Sequence, residues 1–280
     1  MLETFLLPFQ FHFMQNAFLI GLVVAVPTAL LSCFLVVKGW SLMGDAISHA
    51  ILPGVVLAYI FSAPLLLGAF IAGIFCSIST NYLSENCRVK QDTVMGVVFS
   101  GMFATGLVLY TSIETDVHLD HILFGNMLGV SVKDIMISVL IATFVTSFLV
   151  LKWSDLLLQS FDPLQAQACG LNVRALNFFL LTSISLTVVA TLKATGLILA
   201  IALIIAPGSI AFLITNRFRL MMPFAIVVTI LSMVSGIYLS FWIDSAPAPT
   251  VIILLTVIFI FVLIQKTRSS VSKAGTNVIL

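Results

Sequence analysis

Asn16-Ala-Phe-Leu-Ile-Gly-Leu-Val-Val-Ala-Val-Pro-Thr-Ala-Leu-Leu-Ser-Cys-Phe-Leu-Val-Val37 is an uncharged run long enough to cross the hydrocarbon core of a bilayer as one helix. It is not alone. Working outward from it, comparable runs occupy 43–62, 64–84, 93–112, 135–151, 176–192, 196–215, 220–243 and 249–265. Of the 280 residues, 61 % are hydrophobic and 8 % charged, and the mean hydropathy is +1.22, which excludes a water-soluble domain and a disordered chain. With 12 Lys and Arg against 11 Asp and Glu there is no basic surface for nucleic acid. The fold class expected is an all-α, polytopic integral membrane protein of eight to nine transmembrane helices, nine being preferred. Residues 1–280 read as one membrane domain with no repeat and no linker.

Only Asp45 and His49, among all acidic, basic and histidine side chains, fall inside these runs. Burying charge in lipid costs several kcal/mol, so the exclusion is expected and the two exceptions are informative. The remaining cations set the orientation. Lys38, Arg88, Lys90, Lys152, Arg174, Arg217, Arg219, Lys266, Arg268 and Lys273 lie on one side, and Lys133 and Lys193 on the other. By the positive-inside rule the ten mark the cytoplasm. The tail 266–280 is then cytoplasmic, and nine spans put residues 1–15 outside, in or near the outer interface. The first span acts as its own signal anchor, since no small-residue cleavage site follows it. Cys33, Cys76, Cys87 and Cys169 show no C-x-x-C spacing and carry no disulfide expectation.

Asp45 and His49 are four residues apart, so a helix places them on one face. Carboxylate oxygen with imidazole nitrogen suits Mn, Fe or Zn as divalent ions. Pro53 withholds the N–H that would meet the carbonyl of residue 49, and Gly54 admits another helix. Three roles remain open on spacing alone: metal or ion path, proton relay, and a structural pair in which Asp45 is a helix N-cap with Ser48 assisting. By hydropathy Asp45 lies nearer the cytoplasmic boundary than the midplane.

Three further stretches stand out. The external segment 113–134 holds Glu114, Asp116, His118, Asp120 and His121. His118 and His121 at i, i+3, with Asp116 and Asp120, are candidate metal ligands, against the preferred reading of a solvated loop that docks a partner. In the loop 152–175, Asp162 as N-cap, Pro163 at the first helical position and Gly170 past the end bracket a short helix through Leu164, Gln165 and Ala166. It is either a plain connector or a coupling helix for an ATPase. Pro207, followed by Gly208, is expected to break the seventh span as a hinge or a packing kink. Pro27 is expected to be a kink without function.

The segment Met43-Gly-Asp-Ala-Ile-Ser-His-Ala-Ile-Leu-Pro-Gly54 resembles the signature of the membrane permeases in ATP-binding-cassette importers of manganese, iron and zinc. Asp116-Val-His-Leu-Asp-His-Ile-Leu-Phe-Gly-Asn-Met-Leu128 is similar to the corresponding loop of the chelated iron and manganese branch, and Gly196–Ala211 to the later Pro-broken helix. The resemblance implies a type II importer-like permease in a bacterial inner membrane. It further implies that Asp45 and His49 line the path of Fe or Mn, carried as substrate with no permanent cofactor. Its implied partners are a separate ATPase, an external metal-binding protein, and a second permease copy or a related permease. The sequence itself contains no G-x-x-x-x-G-K-[ST], so ATP would be bound by another chain. Zinc is the alternative cargo, since Asp and His bind it well and the Irving–Williams order favours it. A proton-coupled carrier is the competing transport class. An intramembrane enzyme is disfavoured: H-E-x-x-H is absent, and Ser48 and His49, being adjacent, do not face each other on a helix.

Overall fold

The computed structural model describes residues 7–40, 42–89, 91–112 and 127–276, and within these every regular element is helical. In chain order they are α1 (His12–Lys38), α2 (Met43–Ala50), α3 (Leu52–Ile60), α4 (Leu65–Asn86), α5 (Gln91–Thr111), α6 (Val132–Leu151), α7 (Trp153–Phe161), α8 (Pro163–Ala168), α9 (Val173–Ile214), α10 (Phe218–Ile243) and α11 (Pro247–Thr276). Among the described residues there are nine stretches long and apolar enough to span a membrane, each within a few residues of a span expected from hydropathy. With no water to satisfy peptide groups in lipid, a helix is the only open-ended element that can cross.

The first span is the hub. α1 is apolar all round, as a helix must be that is surrounded on every side, and it packs against α6, α9 and α10. Leu30, Phe34, Ile47, Leu180 and Ile184 pack about its C-terminal half. Ile20, Val24, Leu199, Met233 and Val251 pack about its N-terminal half. The most hydrophobic part of α1 is 72 % buried, whereas the corresponding parts of α5 and α6 are each only 17 % buried. Those outer helices turn most of their apolar surface to the surroundings, lipid or partner, which is normal where the solvent is itself apolar.

α9 holds two spans. Asn177 touches Lys38, and Gly208 touches Ser32, only six residues away along α1. A straight helix would separate Asn177 from Gly208 by about 46 Å, so the chain must double back between them. It does so at Gly196, whose φ of 78° and ψ of 171° are the one non-helical pair within α9 and are open to glycine but not to a residue with a Cβ. The turn lies between the sixth and seventh spans, where the sequence left Lys193 outside both.

Pro207, expected as a hinge or a packing kink, lies inside a continuous helix. Its fixed φ is compatible with the α conformation, and what it removes is one N–H, so the Leu203 carbonyl loses its intrahelical donor. The chain stays helical through it. One residue on, Gly208 N–H is held by the Ser32 hydroxyl of α1 at 2.8 Å, and the same hydroxyl donates to the Ile205 carbonyl at 3.1 Å. A side chain from the hub thus stitches the segment that proline weakens. Pro53, at the start of α3, accompanies a milder interruption: α2 and α3 meet at Ile51, which itself keeps helical angles of −68° and −27°. Gly54 does admit a neighbour. A Cβ on it would stand 2.1 Å from the Gly68 carbonyl oxygen of α4, and a Cβ on Gly68 would stand 2.1 Å from that of Gly54.

Candidate functional site

α2 begins at Met43 with Leu42 as its N-cap, which gives no side-chain cap. Asp45 is therefore at the third helical position and does not cap the helix. The Ser48 hydroxyl donates to the Gly44 carbonyl of its own helix at 2.7 Å and is likewise not a cap. The Asp45 carboxylate is left free to meet His49: Oδ1 lies 3.3 Å from Nε2. The side chains of His49 and Asp45 are 29 % and 33 % exposed, unusual for polar groups on an apolar span.

The imidazole is set by two rings of α5. Phe99 lies nearly parallel to it with centroids 6.0 Å apart, and Phe103 meets it edge-on at 5.3 Å. Nδ1 is buried and has no hydrogen-bond partner. Neither phenylalanine was singled out in the sequence, although their spacing of four places them on one helical face. They could not be connected to His49 without knowing that α5 packs on α2.

The same neighbours set the depth of the pair. Phe99 and Phe103 straddle the middle of the Thr93–Thr111 span, so His49 is at mid-depth of the bundle. Gly44 packs on Ile204, whose neighbour Ile205 is bonded to Ser32, and Ser32 is six residues, about 9 Å, inside the end of α1. Asp45, one turn before His49, lies about 6 Å nearer the end at which α2 starts. Trp40 N–H returns to the Leu35 carbonyl at 2.8 Å, Met43 N–H to the Trp40 carbonyl at 3.0 Å, and the buried Trp40 carries the chain back alongside α1 before α2 starts.

Chemically the pair offers one anionic oxygen and one imidazole to a cation. Among the described residues no third His, Cys, Asp or Glu joins it. Two donors from one chain fall short of the four to six that a divalent transition metal takes, so the rest of a coordination shell must come from water or another chain. Asp116, His118, Asp120 and His121 lie outside the described residues.

At the end of the bundle that carries most of the cations, α7 and α8 connect α6 to α9. Asp162 accepts from Leu164 N–H and Gln165 N–H, both at 3.0 Å, and Pro163 opens α8. Gly170, with φ of 82°, closes it: Gly170 N–H returns to the Gln167 carbonyl and Leu171 N–H to the Ala166 carbonyl, each at 3.0 Å. Ala166 is fully buried, whereas Leu164 is 78 % exposed and Phe161 69 %. Below them Asn177 Oδ1 accepts from both Lys38 and Gln159, tying α7, α9 and α1 together. Lys38 also lies over the Trp40 ring at 3.9 Å.

The chain as a whole is similar to known proteins. The family model described as ABC 3 transport family matches residues 10–266. The chain is 52 % identical over 259 residues to the chelated iron transport system membrane protein YfeD of Yersinia pestis, covering 92 % of this chain and 87 % of that one. It is 42 % identical over 261 residues to the manganese transport system membrane protein MntB of a Synechocystis species, covering 93 % and 85 %. The solved structure of PsaBC from Streptococcus pneumoniae in complex with Fab superposes with a TM-score of 0.83 at 31 % identity, covering 94 % and 95 %. Matched along nearly its whole length by these proteins, a chain whose described residues hold nine candidate spans and an Asp–His pair within one of them belongs to the ABC 3 transport family.

Proposed function

We propose that the chain is the permease subunit of an ATP-driven importer that carries iron or manganese as divalent ions across the bacterial inner membrane. The observation that carries this is the Asp45–His49 pair, 3.3 Å apart and partly exposed. Ionisable side chains within a span, open on one side, are costly unless they serve a function, and a path for a cation suits this donor pair. The printed names of the relatives favour iron and manganese over zinc. The ten cations on one side support a cytoplasmic position for α8 and the C-terminus under the positive-inside rule. There the exposed Leu164 and Phe161 offer an apolar contact to an ATPase subunit, which turns the closing of its nucleotide sites into movement of α8. An external binding protein delivers the metal to the other end.

Completion of the path requires a second permease. Pro53, four residues beyond His49 and on the same helical face, opens a groove of about 800 Å³ between α3, α4 and α5, lined almost wholly by apolar groups such as Leu57, Phe61, Ile71 and Phe75. A two-fold copy seated on that face brings a second Asp45 and His49 to the first and supplies four protein donors. Such a shared site holds the ion without enclosing it, so release stays easy.

The test is uptake of labelled Mn, Fe and Zn in competition, by the permease assembled with its ATPase in liposomes. Uptake requires ATP and survives collapse of the proton gradient. Asp45→Ala and His49→Ala variants that assemble normally lose it. Normal uptake by either variant overturns the path assignment, and uptake driven by the proton gradient alone overturns the coupling.

A further inference from the structure

Ser32 is fully buried in α1 and makes two bonds to a helix more than 170 residues away, taking Gly208 N–H at 2.8 Å and giving its own proton to the Ile205 carbonyl at 3.1 Å. The contact is possible only because residue 208 is glycine: a Cβ there would stand 2.4 Å from the Ser32 carbonyl oxygen. The Ile205 carbonyl also receives the Ser209 hydroxyl at 2.9 Å, so the clasp converges on the turn of α9 that contains Pro207. The residue before that turn is Ile204, and its Cγ2 fills the space a Cβ would take on Gly44, 2.8 Å from that position. Asp45 is the next residue.

We propose that Ser32 is a positioning residue for the metal path. Its hydroxyl fixes the Ile205–Gly208 turn, the turn fixes Ile204, and Ile204 in the Gly44 notch fixes the first turn of α2 and so the distance from Asp45 to His49. The inference rests on the reading of that pair as the path. Packed interiors carry such a displacement because they have little slack, and the loss of a hydroxyl that serves two buried backbone groups leaves the Gly208 N–H without this acceptor.

The measurement is Mn uptake by the assembled complex in liposomes, resolved into KM and maximal rate. Ser32→Ala raises KM for Mn about threefold to tenfold, the effect of one lost buried hydrogen bond, while the maximal rate stays within about twofold. Ile204→Leu, which keeps volume but withdraws the β-branch from the Gly44 notch, raises KM in the same way. The double variant is no worse than the poorer single one, because both act through one contact. Ser32→Cys gives an intermediate KM, and it decides the question if Ser32→Ala does not assemble. A lowered maximal rate with unchanged KM, or effects of Ser32 and Ile204 that multiply, overturns the proposal. His49→Ala is the separate arm. If it imports Mn normally, the path reading itself fails, whatever Ser32 does.

Discussion

Single side chains decide what the span can carry. Helical spacing alone puts Asp45 and His49 on one face, but the 3.3 Å between them and the orientation of the imidazole also depend on tertiary contacts. Phe99 and Phe103 enclose it on a face and an edge, and leave Nε2 directed at the carboxylate. An aromatic contact of this kind contributes about 1 kcal/mol. Phe103→Ala should therefore raise the metal KM of the assembled transporter about twofold to tenfold, with little change in maximal rate. A KM equal to that of the unaltered protein would mean the ring is packing alone.

At the scale of elements, the sequence was most informative where hydropathy or capping sets the structure locally. All nine described spans were legible, because exclusion of charge from lipid operates on each run by itself. The short helix α8 was legible for the same reason: Asp162, Pro163 and Gly170 act within the segment they bracket. A helix of six residues does not form on its own, so its cap matters. Asp162→Ala should weaken α8 by about 1 kcal/mol and lower the stimulation of ATP hydrolysis by metal-loaded binding protein, whereas Asp162→Asn, an equally good cap, should retain it. If the alanine variant couples like the unaltered complex, α8 transmits nothing. In the seventh span Pro207 sits inside a continuous helix, and Ser32 of the first span bonds the turn around it, at Gly208 N–H and the Ile205 carbonyl, a contact that no local pattern could connect to residue 208. The chain reverses at Gly196, between the sixth and seventh spans, where positive φ is the deciding constraint.

In the whole molecule, a broad apolar groove between α3, α4 and α5 begins at Pro53, one helical turn beyond His49. The helices beside it are held by backbone contact at Gly54 and Gly68, so this face is built close and rigid. If a second permease covers it, single cysteines placed at the exposed Val97 or Ile71 should cross-link between copies in the assembled transporter. Cysteines at Ile253 or Val257, exposed on α11, should not. Cross-linking through α11 with none through the groove would move the interface, and the path with it, to another face.

The amino-acid sequence by itself determined that this protein is a bundle of membrane helices, which way its cations lie, and that one Asp–His pair is out of place in lipid. Each of these depends on the solvation of a residue or on spacing along one helix. Only the tertiary structure decided that His49 is level with the middle of α5, that two phenylalanines orient it, and that a serine of the first span bonds the turn around Pro207. Those properties depend on which helices touch, and contacts between residues far apart in the chain leave no periodic trace within either segment.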